Sequence, residues 1–192
     1  MMSGPLLALN LLLSLATQAE TPDPLEVLAG LELSGSEVAF TETRSSGLLD
    51  EPLIITGTVR RDADGRLIRE TVTPRTETQI LGSDFVELHR TRGNRRRFSL
   101  DRAPELAALR TVLLALLDGQ PQRLSESFDL TTEGGPADWR LILVPQAAHL
   151  AERVDHLILA GQQSHLESLT LHLTDGDRVQ TRFDSGQQDP EP

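Results

Sequence analysis

Apolar and polar residues alternate along most of the chain, and this period of two predicts β-strands that bury one face. Turn-forming residues separate the alternating segments, and Asp62-Ala63-Asp64-Gly65 predicts a hairpin turn. Because one side of each strand is polar, we expect an antiparallel sheet with one solvated face. The predicted strands are 38–43, 53–60, 66–73, 76–81, 85–91 and 96–100, and then 128–132, 139–144, 156–160, 166–173 and 179–183.

A different pattern interrupts the strands at Pro104–Leu117, where apolar residues occupy nearly every position. Asp101 is expected to cap this helix, and Asp118-Gly119 to end it. A helix that is apolar on all sides is either enclosed in a core or in contact with other apolar material. On periodicity alone, a helix that is simply part of the core is slightly favoured over a helix that covers a lipid cavity. Two shorter helices are predicted at 24–33 and 147–153.

These elements predict one α+β domain that is mainly antiparallel β. An open sheet of about ten strands tends to curl, so we expect it to curve around the apolar helix. Alternation then turns one set of residues inward: Phe40, Ile55, Val59, Leu141, Leu143, Leu157, Leu159, Leu169 and Leu171.

The N-terminus has the layout of a secretory signal peptide, with an apolar run at 6–16 followed by Thr17-Gln18-Ala19. Its only positive charge is the α-amino group, so a buried N-terminal helix is the alternative. The run is too short to span a membrane. We therefore expect cleavage after Ala19, export to the periplasm without stable membrane insertion, a domain at 20–183 and a frayed acidic tail at 184–192.

Composition excludes several classes of function. The 192 residues carry a formal charge of −11, and all 18 basic residues are arginine, which argues against nucleic-acid binding. The absence of cysteine rules out disulfides, thiolate metal sites and attachment of a lipid to this chain.

No Gly-x-Ser-x-Gly or phosphate-binding glycine loop is present, so we expect neither an enzyme nor a cofactor, although motifs do not exclude a dispersed Ser/His/Asp triad. His149, His156, His165 and His172 lack ligand spacing and are expected at the surface rather than on a metal.

A cluster of arginines surrounds the Gly93-Asn94 turn in this otherwise acidic chain. Its simpler interpretation, which we favour, is a solvated hairpin. The alternative is a surface that docks an acidic partner or an anionic headgroup, since guanidinium groups match carboxylate and phosphate geometry. The cluster comprises Arg90, Arg92, Arg95, Arg96 and Arg97.

Six short motifs occur in an order and spacing that resemble the LolA family of outer-membrane lipoprotein carriers. Each motif alone is weak, but together they cover nearly the whole mature chain. In the first half they are Val38-Ala39-Phe40-Thr41-Glu42, Gly57-Thr58-Val59-Arg60, and Pro74-x-x-Glu77 with Ile80-Leu81-Gly82. In the second half they are Leu116-Leu117-Asp118-Gly119 with Leu124 and Phe128, Trp139-Arg140-Leu141-x-Leu143-x-Pro145, and Asp175-Gly176-Asp177 before Thr181-Arg182-Phe183.

The resemblance implies an unclosed β-barrel lidded by helices, with an apolar cavity that carries acyl chains across the periplasm. It also implies an inner-membrane exporter and an outer-membrane acceptor as partners. The chain is most similar to a divergent LolA-related branch, some members of which are associated with lipid-linked or aryl-polyene products. We expect a monomer.

Site residues follow from this resemblance. An arginine that holds the lid in the family has its nearest counterparts in Arg60 and Arg61, although the family's tryptophan and proline are absent beside them. Partner docking is assigned to Arg92, Arg95, Arg96 and Arg97. The expected lipid-binding residues are the nine inward-facing residues Phe40, Ile55, Val59, Leu141, Leu143, Leu157, Leu159, Leu169 and Leu171, together with Leu109, Leu113, Leu116 and Leu117 of the apolar helix.

Two functions remain open at this point. The first is a carrier that shields acyl chains of lipoproteins or lipid-linked products from water. The second is a regulatory module of the same fold, which senses a bound lipid and signals to a partner protein.

Overall fold

The computed structural model describes residues 23–29, 31, 37–90, 93, 95–135 and 137–184. In this part of the chain, eleven antiparallel strands form a single sheet. Fold class and strand number agree with the sequence prediction. The strands are β1 (Glu37–Ser45), β2 (Leu53–Arg61), β3 (Leu67–Thr73), β4 (Glu77–Leu81), β5 (Phe85–Arg90), β6 (Arg96–Ser99), β7 (Phe128–Gly135), β8 (Asp138–Pro145), β9 (Val154–Gln162), β10 (His165–Leu173) and β11 (Arg178–Phe183).

The sheet consists of two meanders joined edge to edge. Its strand order is β6-β5-β4-β3-β2-β1-β11-β10-β9-β8-β7. The pairing of β1 with β11, in which Phe40 lies opposite Phe183, joins the two halves. Within the described residues β6 and β7 are the two edges, so the sheet is unclosed.

Among the described residues, three α-helices accompany the sheet: α1 (Pro24–Ala29), α2 (Pro104–Leu117) and α3 (Ala148–Ala151). Short 3₁₀ helices occupy Leu100–Arg102 and Pro121–Glu126. The bounds predicted for α2 are confirmed. None of the helices described here has the length and apolar composition of a membrane-spanning segment.

Two details of the helix prediction were wrong. The first helix ends at Ala29 instead of reaching residue 33. The next residue in the sequence is Gly30, and glycine is a poor helix former. Asp101 does not cap α2, because it lies inside the preceding 3₁₀ helix, where its backbone N–H is bound by the Ser99 hydroxyl. The N-cap of α2 is Ala103, which provides no side-chain cap.

Helix α2 packs on one face of the sheet, which we call the inner face. It contacts β2 and β3 as well as β9 and β10. Since β1 and β11 lie between these two pairs of strands, a helix of 14 residues, about 21 Å long, contacts strands of both halves. This arrangement agrees with a sheet that curves around the helix.

Candidate functional site

The inner face and α2 together bury one continuous apolar cluster. All thirteen residues expected to bind lipid belong to it or pack against it. Twelve are buried, and Leu117 at the end of α2 is half-buried. The structure therefore brings these residues together, while their role in binding lipid stays a prediction.

Helix α2 is buried or half-buried along its whole length. None of its fourteen residues, all of which the structure describes, is exposed. Val112 and Leu113 are at most 2% exposed. Six of the fourteen residues are buried. The other eight, among them Leu106, Thr111 and Leu114, are partly exposed, so α2 has a partly solvated side that is largely apolar.

Two arginines connect α2 to the sheet through polar contacts. The Arg61 Nε atom at the end of β2 lies 2.8 Å from Oδ1 of Asp118, the residue that caps the C-terminus of α2. On α2 itself, Arg110 donates from Nε to the Leu81 carbonyl oxygen of β4 at 3.4 Å. Burial lowers the pKa of Arg110, and Asp118 opposes this effect. Arg110 was not predicted, although it is the only basic residue within α2.

The structure distinguishes the two residues expected to hold the lid. Arg60 points to the outer face, where it forms ion pairs with Glu37 at 3.6 Å and Glu70 at 3.5 Å. These contacts lead away from α2, and a role of Arg60 in holding a lid stays a prediction. Arg61 is the candidate that reaches the helix, and its role in holding a lid remains a prediction.

A polar cleft opens beside the C-terminal end of α2. Its volume is about 350 Å³. Arg61, Arg110 and Asp118 contribute to its lining, as do Arg123 and Glu126 from the 3₁₀ helix that follows α2. The polar contacts that connect the helix to the sheet therefore lie at a cleft, within reach of solvent.

The inner face also contains a buried charged pair that sequence reasoning missed. Glu42 of β1 and Arg69 of β3 are 1% and 2% exposed, and the Arg69 Nη2 atom donates to Glu42 Oε2 at 2.6 Å. Arg44 Nε donates to the other carboxylate oxygen at 2.7 Å. The Thr181 hydroxyl of β11 donates to Oε2 at 3.3 Å.

The environment of this pair shifts both pKa values. Burial alone raises the pKa of the Glu42 carboxyl, but the guanidinium groups of Arg69 and Arg44 outweigh it and hold this pKa below its usual value. Burial lowers the pKa of Arg69, with Glu42 in opposition. The guanidinium of Arg69 also stacks 4.4 Å above the centroid of the Phe40 ring. Both residues are therefore held in fixed positions among apolar neighbours.

The arginine cluster lies at the β5–β6 end of the sheet, with Arg92 outside the described residues. Arg95 and Arg97 both bind the buried carboxylate of Glu87, and the hydrogen bond from Arg95 is the main cause of the lowered pKa of Glu87. Arg96 is exposed on the edge strand. Part of the positive charge of this cluster is thus neutralised within the protein.

The histidines are distributed over separate elements. His149 lies on α3 and His165 begins β10. His156 and His172 stack with ring centroids 4.3 Å apart. Across the described ranges, no group of three His, Asp or Glu side chains is arranged to hold a metal ion.

An unclosed antiparallel sheet that encloses an apolar helix defines a class of half-barrel proteins, and sequence comparison identifies the family. The family described as outer membrane lipoprotein carrier protein LolA-like matches residues 16–189. The chain belongs to this family. Comparison with curated proteins gives no match.

Solved structures give more distant similarities. A LolA superfamily protein from Nitrosomonas europaea is 9% identical with a TM-score of 0.46, over 84% of this chain and 90% of that one. LprF from Mycobacterium bovis is 11% identical with a TM-score of 0.36, over 90% and 98%. MucB in complex with MucA is 14% identical with a TM-score of 0.38, over 85% of this chain and 56% of MucB.

Proposed function

We propose that the mature protein is a periplasmic carrier that binds acyl chains reversibly between the inner face of the sheet and α2. One observation carries this proposal: an almost wholly apolar helix buries one side against an apolar sheet surface and leaves apolar residues of its other side partly exposed. The polar contacts that hold it come from Arg61 and Arg110. Membership of a family of lipoprotein carriers supports the same function.

The physical basis is the transfer of hydrocarbon out of water. Each methylene group of an acyl chain gains about 0.8 kcal/mol on leaving water, so a long chain does not cross an aqueous compartment unaided. The leucine side chains of the inner face and α2 offer non-directional apolar contacts. When α2 moves away from the sheet, these surfaces become available to a chain that replaces the contacts of the helix.

Loading and release depend on how firmly α2 is held. The Arg61–Asp118 pair is partly exposed, and exposed ion pairs contribute only about 0.2–1 kcal/mol. The Arg110 contact is long at 3.4 Å. These polar contacts therefore add little to the apolar contacts of α2. An acyl chain that takes over the apolar contacts lets the helix open, while the sheet is kept by its eleven paired strands.

Lipid extraction tests this function directly. The protein is purified from the periplasm of the producing bacterium, and native mass spectrometry compares it before and after delipidation. We expect a bound acylated species that is lost on delipidation and rebinds when returned. Protein that carries no lipid and rebinds none would contradict the proposal.

A regulatory lipid sensor shares the binding step with a carrier, so a second measurement separates them. Loaded protein is mixed with vesicles that resemble the outer membrane, and transfer of the acylated cargo is followed. A carrier delivers its cargo to the acceptor membrane, or to an acceptor protein placed on it. A sensor retains its lipid under the same conditions.

For the exposed arginines we propose docking to an acidic exporter or acceptor protein. Arg96 is the best position for a test, because Arg95 and Arg97 already bind Glu87. An Arg96→Glu variant should load or deliver cargo more slowly, with unchanged unfolding, and the difference should shrink at high salt. Equal rates for the variant and the parent would remove this surface from docking.

A further inference from the structure

A polar site lies on the inner face of the sheet, beside the apolar cluster. Arg69 of β3 and Gln79 of β4 are direct cross-strand partners. Each has a buried atom without a hydrogen-bond partner in the structure, namely Arg69 Nη1 and Gln79 Oε1. One is a donor and the other an acceptor, and both belong to side chains on the inner face.

The unused donor of Arg69 follows from the geometry of its ion pair. Only Nη2 contacts Glu42, although an arginine often binds a carboxylate through two nitrogens. Arg44 and Thr181 donate to the same carboxylate, and the Phe40 ring fixes the guanidinium plane. The Nη1 atom is therefore held in place with hydrogens that the ion pair does not use.

The free acceptor of Gln79 is fixed by its neighbour Glu77. The Gln79 amide nitrogen donates to Glu77 Oε1 at 3.0 Å, and Arg90 Nε donates to Glu77 Oε2 at 2.6 Å. Rotating the amide would bring its oxygen against a carboxylate, which repels it. The carbonyl oxygen is thus the end of Gln79 that is available to a ligand.

The nearby charges already have partners. Glu42 pairs with Arg69 and Arg44, and Glu77 pairs with Arg90. A ligand that satisfies both free atoms therefore needs no net charge, but it must present one acceptor and one donor. A secondary amide has both, as a carbonyl oxygen and an N–H on adjacent atoms. An ester has the carbonyl oxygen but no donor.

The position of the site agrees with an amphiphilic ligand. Leu81, to which Arg110 of α2 donates, follows Gln79 by two residues on β4, or about 7 Å along the strand. An acyl chain that runs from Arg69 and Gln79 along β4 toward Leu81 would reach α2. We propose that this site binds the amide group of an N-acyl amide whose acyl chain occupies the inner face. This inference rests on the proposed binding of acyl chains and adds the chemistry that selects among them.

The test compares two neutral probes that differ in one group, N-methylpalmitamide and methyl palmitate. Their affinities for the delipidated protein are measured by competition with a fluorescent fatty acid. We expect the amide to bind about three- to tenfold more tightly, since it makes one additional hydrogen bond. Gln79→Met should abolish this preference, so that the amide and the ester bind equally, and a cooperative melt shows that the variant is folded.

Two further variants complete the test. Arg69→Lys keeps a positive charge for Glu42 but removes Nη1, so both probes, which share the carbonyl acceptor, should bind several-fold more weakly. Gln180→Met alters a glutamine on the outer face of β11 and should change neither affinity. Equal binding of the two probes to the parent would overturn the proposal and leave acyl-chain binding intact. If neither probe nor the fluorescent fatty acid binds, the proposed function fails, and the amide site fails with it.

Discussion

Arg61 Nε lies 2.8 Å from Asp118 Oδ1 and thereby ties the end of β2 to the C-terminal cap of α2. Because both side chains are partly exposed, the pair contributes only about 0.2–1 kcal/mol to folding. We expect Arg61→Ala to lower the free energy of unfolding by no more than this amount, and to accelerate release of a bound acyl probe. Urea unfolding and stopped-flow release measure the two effects.

Arg60→Ala is the matched control for this prediction. Arg60 precedes Arg61 in β2 but pairs with Glu37 and Glu70 on the outer face. Its removal should leave the release rate unchanged. A similar acceleration in both variants would argue against a specific role for Arg61 in holding α2.

The buried Glu42 predicts a dependence of stability on pH. Arg69 and Arg44 overcome the effect of burial and hold the pKa of Glu42 below its usual value of 4.5. The stabilisation that follows from this lowered pKa is complete above pH 4.5 and is lost as the pH falls through the lower, folded-state value. Thermal or urea unfolding between pH 7 and pH 3 should therefore show a decrease in stability.

Replacement of Glu42 separates its contribution from those of other carboxylates. Glu42→Gln leaves Arg69 buried without its counter-charge, so we expect a loss of about 3–5 kcal/mol at pH 7. This variant should also lose less further stability on acidification than the parent does. Glu70→Gln, at an exposed position on the outer face, is the control and should follow the parent's pH profile. An unchanged profile in Glu42→Gln would show that other groups control acid unfolding.

Gly57 occupies a place in β2 that admits no side chain. The strand register with β3 shifts between Thr56 and Gly57, and a Cβ atom at Gly57 would collide with the backbone carbonyl oxygen of Glu70. Gly57→Ala should therefore destabilise the protein by about 1–3 kcal/mol or more. Gly47, where an added Cβ meets nothing within 4 Å, provides the control, and Gly47→Ala should change stability by less than about 0.5 kcal/mol. Equal stabilities of the Gly57→Ala and Gly47→Ala variants would contradict the close approach of β2 to β3.

Export is tested by the N-terminus of the mature protein. The small residues Thr17-Gln18-Ala19 after the apolar run predict cleavage before Glu20. N-terminal sequencing of periplasmic material should begin with Glu20, and an Ala19→Leu variant should be processed slowly or at another position. Periplasmic protein that begins at Met1 would refute this prediction.

The sequence predicts most of the fold because local patterns determine its elements. Alternation defines the eleven strands, and the uniform apolar run with Asp118-Gly119 defines α2. Parity with the buried Val59 also places Arg61, and not Arg60, on the inner face, so the sequence already contained the signal that distinguishes them. That signal is visible only when each residue of β2 is assigned to the inner or the outer face of the sheet.

The polar part of the inner face was beyond sequence reasoning. Glu42 and Arg69 are 27 residues apart and occupy positions where alternation predicts apolar side chains. Their contact depends on the register of β1, β2 and β3, which no local pattern fixes. The same holds for Gln79, since its relationship to Arg69 is set by the β3–β4 register.

The single tryptophan of the chain provides the most direct test of acyl-chain binding at the inner face. Trp139 is 1% exposed and belongs to the cluster formed by the inner face and α2. Mature, delipidated protein is titrated with fatty acids that carry bromine at successive positions, and the fluorescence of Trp139 is followed. Binding at the inner face should give saturable quenching that is strongest for one set of bromine positions and weaker in a folded Leu113→Gln variant. Absence of saturable quenching at every bromine position, in protein that melts cooperatively, would contradict it.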